Sequence, residues 1–232
     1  MSYKNKSAIT GNSIFSLVPY IKKWYYNDMD NPVGSLANHQ KSLILGTLLG
    51  DGYLRIISGK FNAFLEINHS FKQKDYVDWK YSQLQNISGK PPSTRPGKNG
   101  RVAYRFYTRQ LPYLTDLYNR FYQSGIKVVP ENLVLNPLIL AVWFMDDGSK
   151  CRDNDLYLNT QQFSLESQYR LINKLRDFGL EAGLNKDKEY KRIRMFKSSI
   201  KRFEDLVWPH IIPSMGYKIG DDPVETTRRS PA

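Results

Sequence analysis

Two acids close two apolar runs. Asp51 ends LILGTLLGDG (residues 43–52), and Asp147 ends LILAVWFMDDG (residues 138–148). Taken alone, each run reads as a buried helix stopped by a glycine. A helix C-terminus carries partial negative charge, so a carboxylate there is disfavoured. The same unfavourable placement occurs twice, and a bound divalent cation would compensate for it, since carboxylate and carbonyl oxygens suit Mg²⁺ or Ca²⁺. Gly46 and Gly50, one helical turn apart, leave a bare face along which a second helix can approach. If the two helices pack there, Asp51 and Asp147 arrive side by side. Adjacent carboxylates holding divalent metal are the kernel of a two-metal phosphodiester hydrolase.

The elements that must position these acids repeat along the chain. A helix over 38–50 precedes a strand at 61–71, where Phe61, Ala63, Leu65 and Ile67 alternate with polar residues. A helix at 74–87, a Pro/Gly-rich loop or long hairpin turn at 89–100, a basic strand at 101–109 and a helix at 111–123 follow. After a connector, the second apolar helix (138–146) is succeeded by a strand at 155–162, a helix at 165–178, a basic strand at 190–197 and a helix at 199–208. Asp51 and Asp147 are 96 residues apart, and Arg105 and Arg194, each in a basic strand before a helix, are 89 apart. A nearly constant offset indicates an internal duplication, and two copies are naturally related by a pseudo-twofold axis. Val142 and Asp146 stand where the first helix has Gly46 and Gly50, so the first helix must supply most of the close approach.

Composition narrows the partners. The 232 residues carry 34 Lys+Arg against 22 Asp+Glu, a net charge of +12, with 41% hydrophobic and 13% aromatic residues. This is a folded basic protein rather than a disordered tail, and its partners are polyanions. Residues 90–109 contribute +6 and residues 186–202 another +6, together the entire net charge. The longest apolar run, Leu138–Met145, is eight residues, short of the roughly 20 a membrane-spanning helix needs. One cysteine, Cys151, excludes an internal disulfide and a Cys-rich zinc module, and the three histidines (His39, His69, His210) lack metal-binding spacing. The N-terminus has no signal-peptide pattern. An intracellular protein is expected, with an encoding organelle such as a mitochondrion or chloroplast as its expected compartment.

The paired helix ends resemble the signatures of the LAGLIDADG homing endonucleases, in the single-chain branch that carries two motifs. The similarity extends to Pro130–Val134, to Leu158-Asn159-Thr160-Gln161 and to Pro213–Lys218, and covers about residues 38–220. It implies an α+β fold of two pseudo-twofold-related αββαββα halves, whose antiparallel sheets form a DNA-binding saddle. The organisation expected is an N-terminal extension at 1–36, a first half at 37–126, a connector at 127–136, a second half at 137–220 and a tail at 221–232. The resemblance makes Asp51 and Asp147 the metal-binding acids, with the carbonyls of Gly50 and Asp146 as further oxygen donors. It places a lysine in each half near the scissile phosphates, Lys127 and Lys218, 91 residues apart, and Gln161 as a water-orienting residue. His69 takes the corresponding place in the first half, where its position on the apolar face of a strand predicts ordinary burial.

The resemblance further implies an intron-encoded enzyme of intron homing, a monomer that cuts both strands of a long, non-palindromic duplex with Mg²⁺ or Mn²⁺ and leaves 3′ overhangs. Ca²⁺ is expected to bind without supporting cleavage. A two-stranded ribbon fits the major groove, where Arg pairs with guanine and Asn or Gln with adenine. Candidate base readers are Arg55, Asn62, Glu66, Asn68, Arg101, Arg105, Arg109, Tyr157, Asn159, Arg192 and Arg194; Lys72, Lys74, Lys191 and Lys197 are candidate phosphate clamps. A rival from another class is a maturase that binds group I intron RNA, with or without cleavage. A DNA-binding regulator on the same fold predicts loss of a metal acid, and the sequence retains both. A membrane-surface role is disfavoured because the basic residues follow strand patterns rather than one face of a helix.

Overall fold

The computed structural model describes residues 36–97, 100–152 and 155–220. The expected N-terminal extension lies outside these residues except for Leu36, and the expected tail lies outside them entirely. The chain divides into two units, Met1–Asn38 and His39–Ala232, and the two halves of the duplication fall in the second from His39 onward.

The first half begins with α1 (Asn38–Leu49), then β1 (Tyr53–Ile56), β2 (Ala63–Ser70), α2 (Lys74–Leu84), β3 (Ser93–Pro96), β4 (Val102–Tyr107) and α3 (Pro112–Phe121). A short hairpin, β5 (Tyr122–Gln123) and β6 (Ile126–Lys127), leads on. The second half runs α4 (Pro137–Asp147), β7 (Gly148–Arg152), β8 (Asp155–Leu158), α5 (Leu165–Arg176), β9 (Ala182–Asp187), β10 (Tyr190–Met195) and α6 (Lys197–Val207). Each half is thus αββαββα. The strands form two four-stranded sheets of the same order, β1-β2-β4-β3 and β7-β8-β10-β9, with every pairing antiparallel. Together they form the two sides of the expected saddle.

The residue pattern alone singles out neither β1, β3, β7 and β9 nor the short strands β5 and β6, although the αββαββα resemblance implies four strands per half. The stretch 89–100, expected as a loop or long hairpin turn, contains β3, the first arm of a hairpin with β4, and all four residues of β3 are exposed. Its sequence, STRP, has no apolar alternation to report it. Its place comes from backbone pairing with β4, Ser93 opposite Arg105 and Arg95 opposite Ala103. Helix 111–123 ends at Phe121 because Tyr122 adopts extended backbone (φ −127°, ψ 127°) and opens the β5–β6 hairpin.

One face of each sheet is packed under helices. Leu65, Ile67 and Phe106 of the first sheet are nearly inaccessible, as are Tyr76, Val77, Leu114 and Leu117 of its helices. So are Leu156, Leu158 and Ile193 of the second sheet and Leu171 and Leu175 of α5, while Phe203 of α6 packs edge-on against Phe144 of α4. α4 is apolar on every side and Ile139 through Asp146 are all buried, as befits a helix at the centre of a core. Pro137 at its first turn and Asn136, whose Oδ1 accepts from the Ile139 N–H at 2.9 Å, fix where it starts. Asn136 Nδ2 also donates to Ser42 Oγ at 2.8 Å, tying the start of α4 to α1. Among the described residues no helix is long and apolar enough to cross a membrane.

Candidate functional site

α1 and α4 meet along the glycine face. A Cβ placed on Gly46 would lie 2.7 Å from Val142 Cβ, and one on Gly50 only 2.3 Å from Asp146 Cβ. Glycine on α1 thus faces bulk on α4, as the departure of Val142 and Asp146 from the small-residue pattern predicts. The contact brings the two motif ends together: the Asp51 N–H donates to Asp146 Oδ2 at 3.3 Å. Gln162 reaches across both, its Nε2 donating to Asp147 Oδ2 at 3.2 Å and to Gly50 O at 3.3 Å.

The electrostatics are those of acids crowded away from water. Burial first, then the charges of Asp51 and Asp146, push the Asp147 carboxyl up to about 7. Asp51 is raised for the same reasons, burial first and Asp146 next. Two lysines offset this charge. Lys127 Nζ donates to Gly50 O at 3.0 Å and Gly52 O at 2.9 Å. Lys218 Nζ donates to Met145 O at 2.6 Å and Asp146 O at 2.9 Å. Each ammonium sits on the C-terminal carbonyls of one motif helix, where positive charge is favoured. Burial holds Lys127 down to about 8 and lowers Lys218 as well. The carbonyls of Gly50 and Asp146, expected as metal donors, therefore serve here as lysine acceptors.

Asp146 has a second role in its side chain. Its carboxylate is fully buried and pairs with the equally buried Lys80 of α2, Nζ to Oδ1 2.7 Å. His69 is buried as its strand position predicts, yet it lies between the acids: Nδ1 is 3.4 Å from Asp51 Oδ2 and Nε2 is 3.7 Å from Asp146 Oδ1. Burial and the Lys80 charge lower it to about 4, so it is neutral at physiological pH. Lys80 and Gln162 are polar side chains at this site that the sequence reading missed. Gln161, chosen instead, donates to Asp187 Oδ2 at 2.7 Å and is held against β9. Since β8 ends at Leu158, the alternation of a strand does not extend to 161 and 162, and the turn aims the second glutamine at the acids. Lys80 lies in an otherwise ordinary amphipathic helix, and only its total burial sets it apart.

The solvent face of the first sheet carries Arg55, Glu66, Asn68 and Arg105; Asn68 stands opposite Arg105, and Glu66 opposite Tyr53 and Tyr107. Glu66 pairs with Arg55 at 3.2 Å and lies 3.7 Å from Arg105. On the second sheet Arg194 stands opposite Tyr157 and pairs with Asp155 at 2.8 Å. Arg192 lies 3.9 Å over the Tyr157 ring and donates to Asn159 Oδ1 at 3.2 Å. Arg101, Arg109, Lys72 and Lys197 are exposed at or beyond strand ends. Three candidates fall elsewhere. Asn62 accepts from the Thr115 hydroxyl at 3.1 Å beside α3. Lys74 is paired with Asp78 along α2. Lys191 alternates with Arg192 and Arg194 and so projects to the opposite side of β10.

Comparison with known proteins agrees with this architecture. The model of the LAGLIDADG DNA endonuclease family matches residues 41–203. The chain is 31% identical over 215 residues to the cytochrome b mRNA maturase bI2 of Saccharomyces cerevisiae, covering 84% of this chain and 50% of that protein. It is 29% identical over 199 residues to the probable intron-encoded endonuclease 1 of Wickerhamomyces canadensis, covering 80% of this chain and 85% of that one. The chain spans about half the length of several curated relatives, the yeast maturase among them. Among solved structures, the homing endonuclease I-WcaI bound to its DNA recognition sequence superposes with a TM-score of 0.75 at 26% identity, over 92% of this chain and 96% of that one.

Proposed function

The chain belongs to the LAGLIDADG DNA endonuclease family, and from that premise we propose that it is a site-specific homing endonuclease. It hydrolyses both strands of one long, non-palindromic duplex, working as a monomer with divalent metal. The observation that carries this reading is the meeting of the two motif ends: Asp51 beside Asp146, Asp147 bonded to Gln162, and a lysine on the carbonyls of each motif.

The donor set fits a hard cation. Two carboxylates, both shifted upward by burial first and by neighbouring acids next, share one partly open site with Asp51 about half exposed (46%), and a bound cation would offset the charge they crowd together. Mg²⁺, or Mn²⁺ in its place, would be held by Asp51 and Asp147; when bound it lowers the pKa of water and neutralises charge on the departing 3′ oxygen. The remaining roles belong to the chain's own groups. Lys127 and Lys218 are anchored by the motif carbonyls, and their ammonium groups face the site with further N–H donors for an anionic phosphate. The amide of Gln162 holds the Asp147 carboxylate in place and gives the motif junction a neutral donor beside both acids. The open sheet faces carry the base-reading side chains, Arg55, Asn68 and Arg105 on one sheet and Arg192 and Arg194 on the other.

The similarity to the yeast bI2 maturase favours one second reading, assistance to splicing by binding group I intron RNA. A single experiment separates the two. The protein is incubated with a randomised duplex library and Mg²⁺, and the cut ends are sequenced. The endonuclease reading predicts one enriched site cut on both strands with 3′ overhangs, and no enriched site refutes it. Tight binding to structured intron RNA in its absence identifies the maturase.

A further inference from the structure

The motif junction is asymmetric in a way that duplication alone does not require. Gly50 closes the first motif helix without a side chain, whereas its counterpart Asp146 inserts a carboxylate that is fully buried. A buried charge without a partner is strongly destabilising, and the partner here comes from the other half. Lys80 rises from α2 with none of its side chain exposed, 2.7 Å from Asp146 Oδ1. Its ammonium also lies 4.5 Å over the Tyr76 ring, and the Tyr76 hydroxyl donates to Val142 O at 3.3 Å, fixing the same wall of α4.

The other oxygen of Asp146 points at Asp51. Oδ2 accepts the Asp51 N–H, and His69 fills the gap between the two carboxylates. Asp51, His69 and Asp146 offer one ligand atom each within 4.8 Å of one another, a spacing that would suit a cation. The Lys80 ammonium already supplies the positive charge on the buried side of that cluster.

We propose that Lys80 is a positioning residue for Asp51. Locked on Asp146, it holds that carboxylate against the Asp51 backbone and so sets where the Asp51 side chain presents itself to metal. Asp147 is held differently: Gly50 has no side chain to pair with a buried lysine, and the neutral amide of Gln162 contacts the Asp147 carboxylate instead, so the two metal-holding acids are inequivalent. The inference rests on the proposed role of Asp51 in holding a divalent cation, and its test keeps the two apart.

The variants are Lys80→Met, Asp146→Asn and the double variant, with Asp51→Asn and Asp147→Asn as references. Thermal melting of the metal-free protein is the first readout. Lys80→Met strands a buried carboxylate and lowers the melting temperature by roughly 10 °C. The double variant recovers to within roughly 4 °C of the wild type, and additive losses would overturn the pairing. The second readout is Mn²⁺ alone, titrated by electron paramagnetic resonance. The refolded double variant should weaken, by tenfold or more, the Mn²⁺ site that Asp51→Asn removes, and leave the site that Asp147→Asn removes unchanged. Wild-type affinity at both sites would reduce the pair to packing and overturn the positioning role. If neither Asp51→Asn nor Asp147→Asn alters Mn²⁺ binding, the metal-holding reading of Asp51 fails. The positioning role fails with it, whatever the melting series shows of the pair.

Discussion

At the scale of single residues, the site trades stability for charge that a substrate complex can use. Asp147 holds its proton up to about 7, against 3.8 in an unfolded chain. As pH rises through that window the unfolded chain gives up its proton first, so the metal-free fold loses stability between 3.8 and about 7. Asp147→Asn removes this loss. Its melting temperature without metal should exceed the wild type's above pH 7, by ~2–4 °C for each kcal/mol relieved, and match it below pH 4. The same substitution, like Asp51→Asn, should reduce double-strand cleavage at least ~1000-fold, since it removes metal-assisted chemistry, while duplex affinity changes little. Strand-resolved gels and a binding titration check both halves of that statement. Gln162→Ala should slow cleavage roughly tenfold or more through the lost contact to Asp147, whereas Gln161→Ala, which only frees Asp187 at the side of the sheet, should leave the rate near wild type. The acids were legible from spacing because duplication printed them twice; Lys127 and Lys218 came from the family resemblance, and their 91-residue separation agrees with the repeat. Lys80 was legible from neither, since a lysine in an amphipathic helix is ordinarily solvated and its burial depends on Asp146, 66 residues away in sequence.

At the scale of elements, the junction of α1 with α4 is set by backbone proximity. Gly50→Ala would put a methyl 2.3 Å from Asp146 Cβ, which the pair cannot absorb without moving apart. A loss of about 1–3 kcal/mol is expected, and denaturant titration would measure it. Cleavage should fall further than stability alone explains, because the motif ends separate. The apolar helices and the alternating strand β2 were readable from hydrophobic periodicity. The edge strands were not. β3 is wholly exposed and β9, AGLNKD, is half polar with no alternation; both owe their extended form to hydrogen bonds from β4 and β10, which sequence pattern does not encode. The basic segment at 90–109 spans the β3–β4 hairpin, and the one at 186–202 takes in the end of β9, all of β10 and the start of α6, so that β4 and β10 stand at matching places in the two sheets.

At the scale of the whole molecule, two basic hairpins on one saddle make affinity depend steeply on salt. The logarithm of duplex affinity should fall linearly with that of salt concentration, by about 0.9 per phosphate neutralised. Lys197→Ala should weaken all duplexes alike and flatten the slope by about 1, while Arg194→Ala should relax preference at one base position. Titrations at several salt concentrations, on the selected target and on scrambled duplex, distinguish the two outcomes. The division of labour between halves is also unequal at this scale. Lys127, which serves the first motif, arrives on a hairpin after α3 that turns through Ser124 (φ 48°) and Gly125 (φ 78°) and pairs Lys127 with Tyr122. The Tyr122 hydroxyl accepts the Leu54 N–H at 3.2 Å, pinning that hairpin to β1. For anyone recombining halves from different relatives, the seam therefore belongs in the stretch after Val129. A cut at residue 126 would hand the first half's own ammonium to a foreign partner and leave its acid unattended.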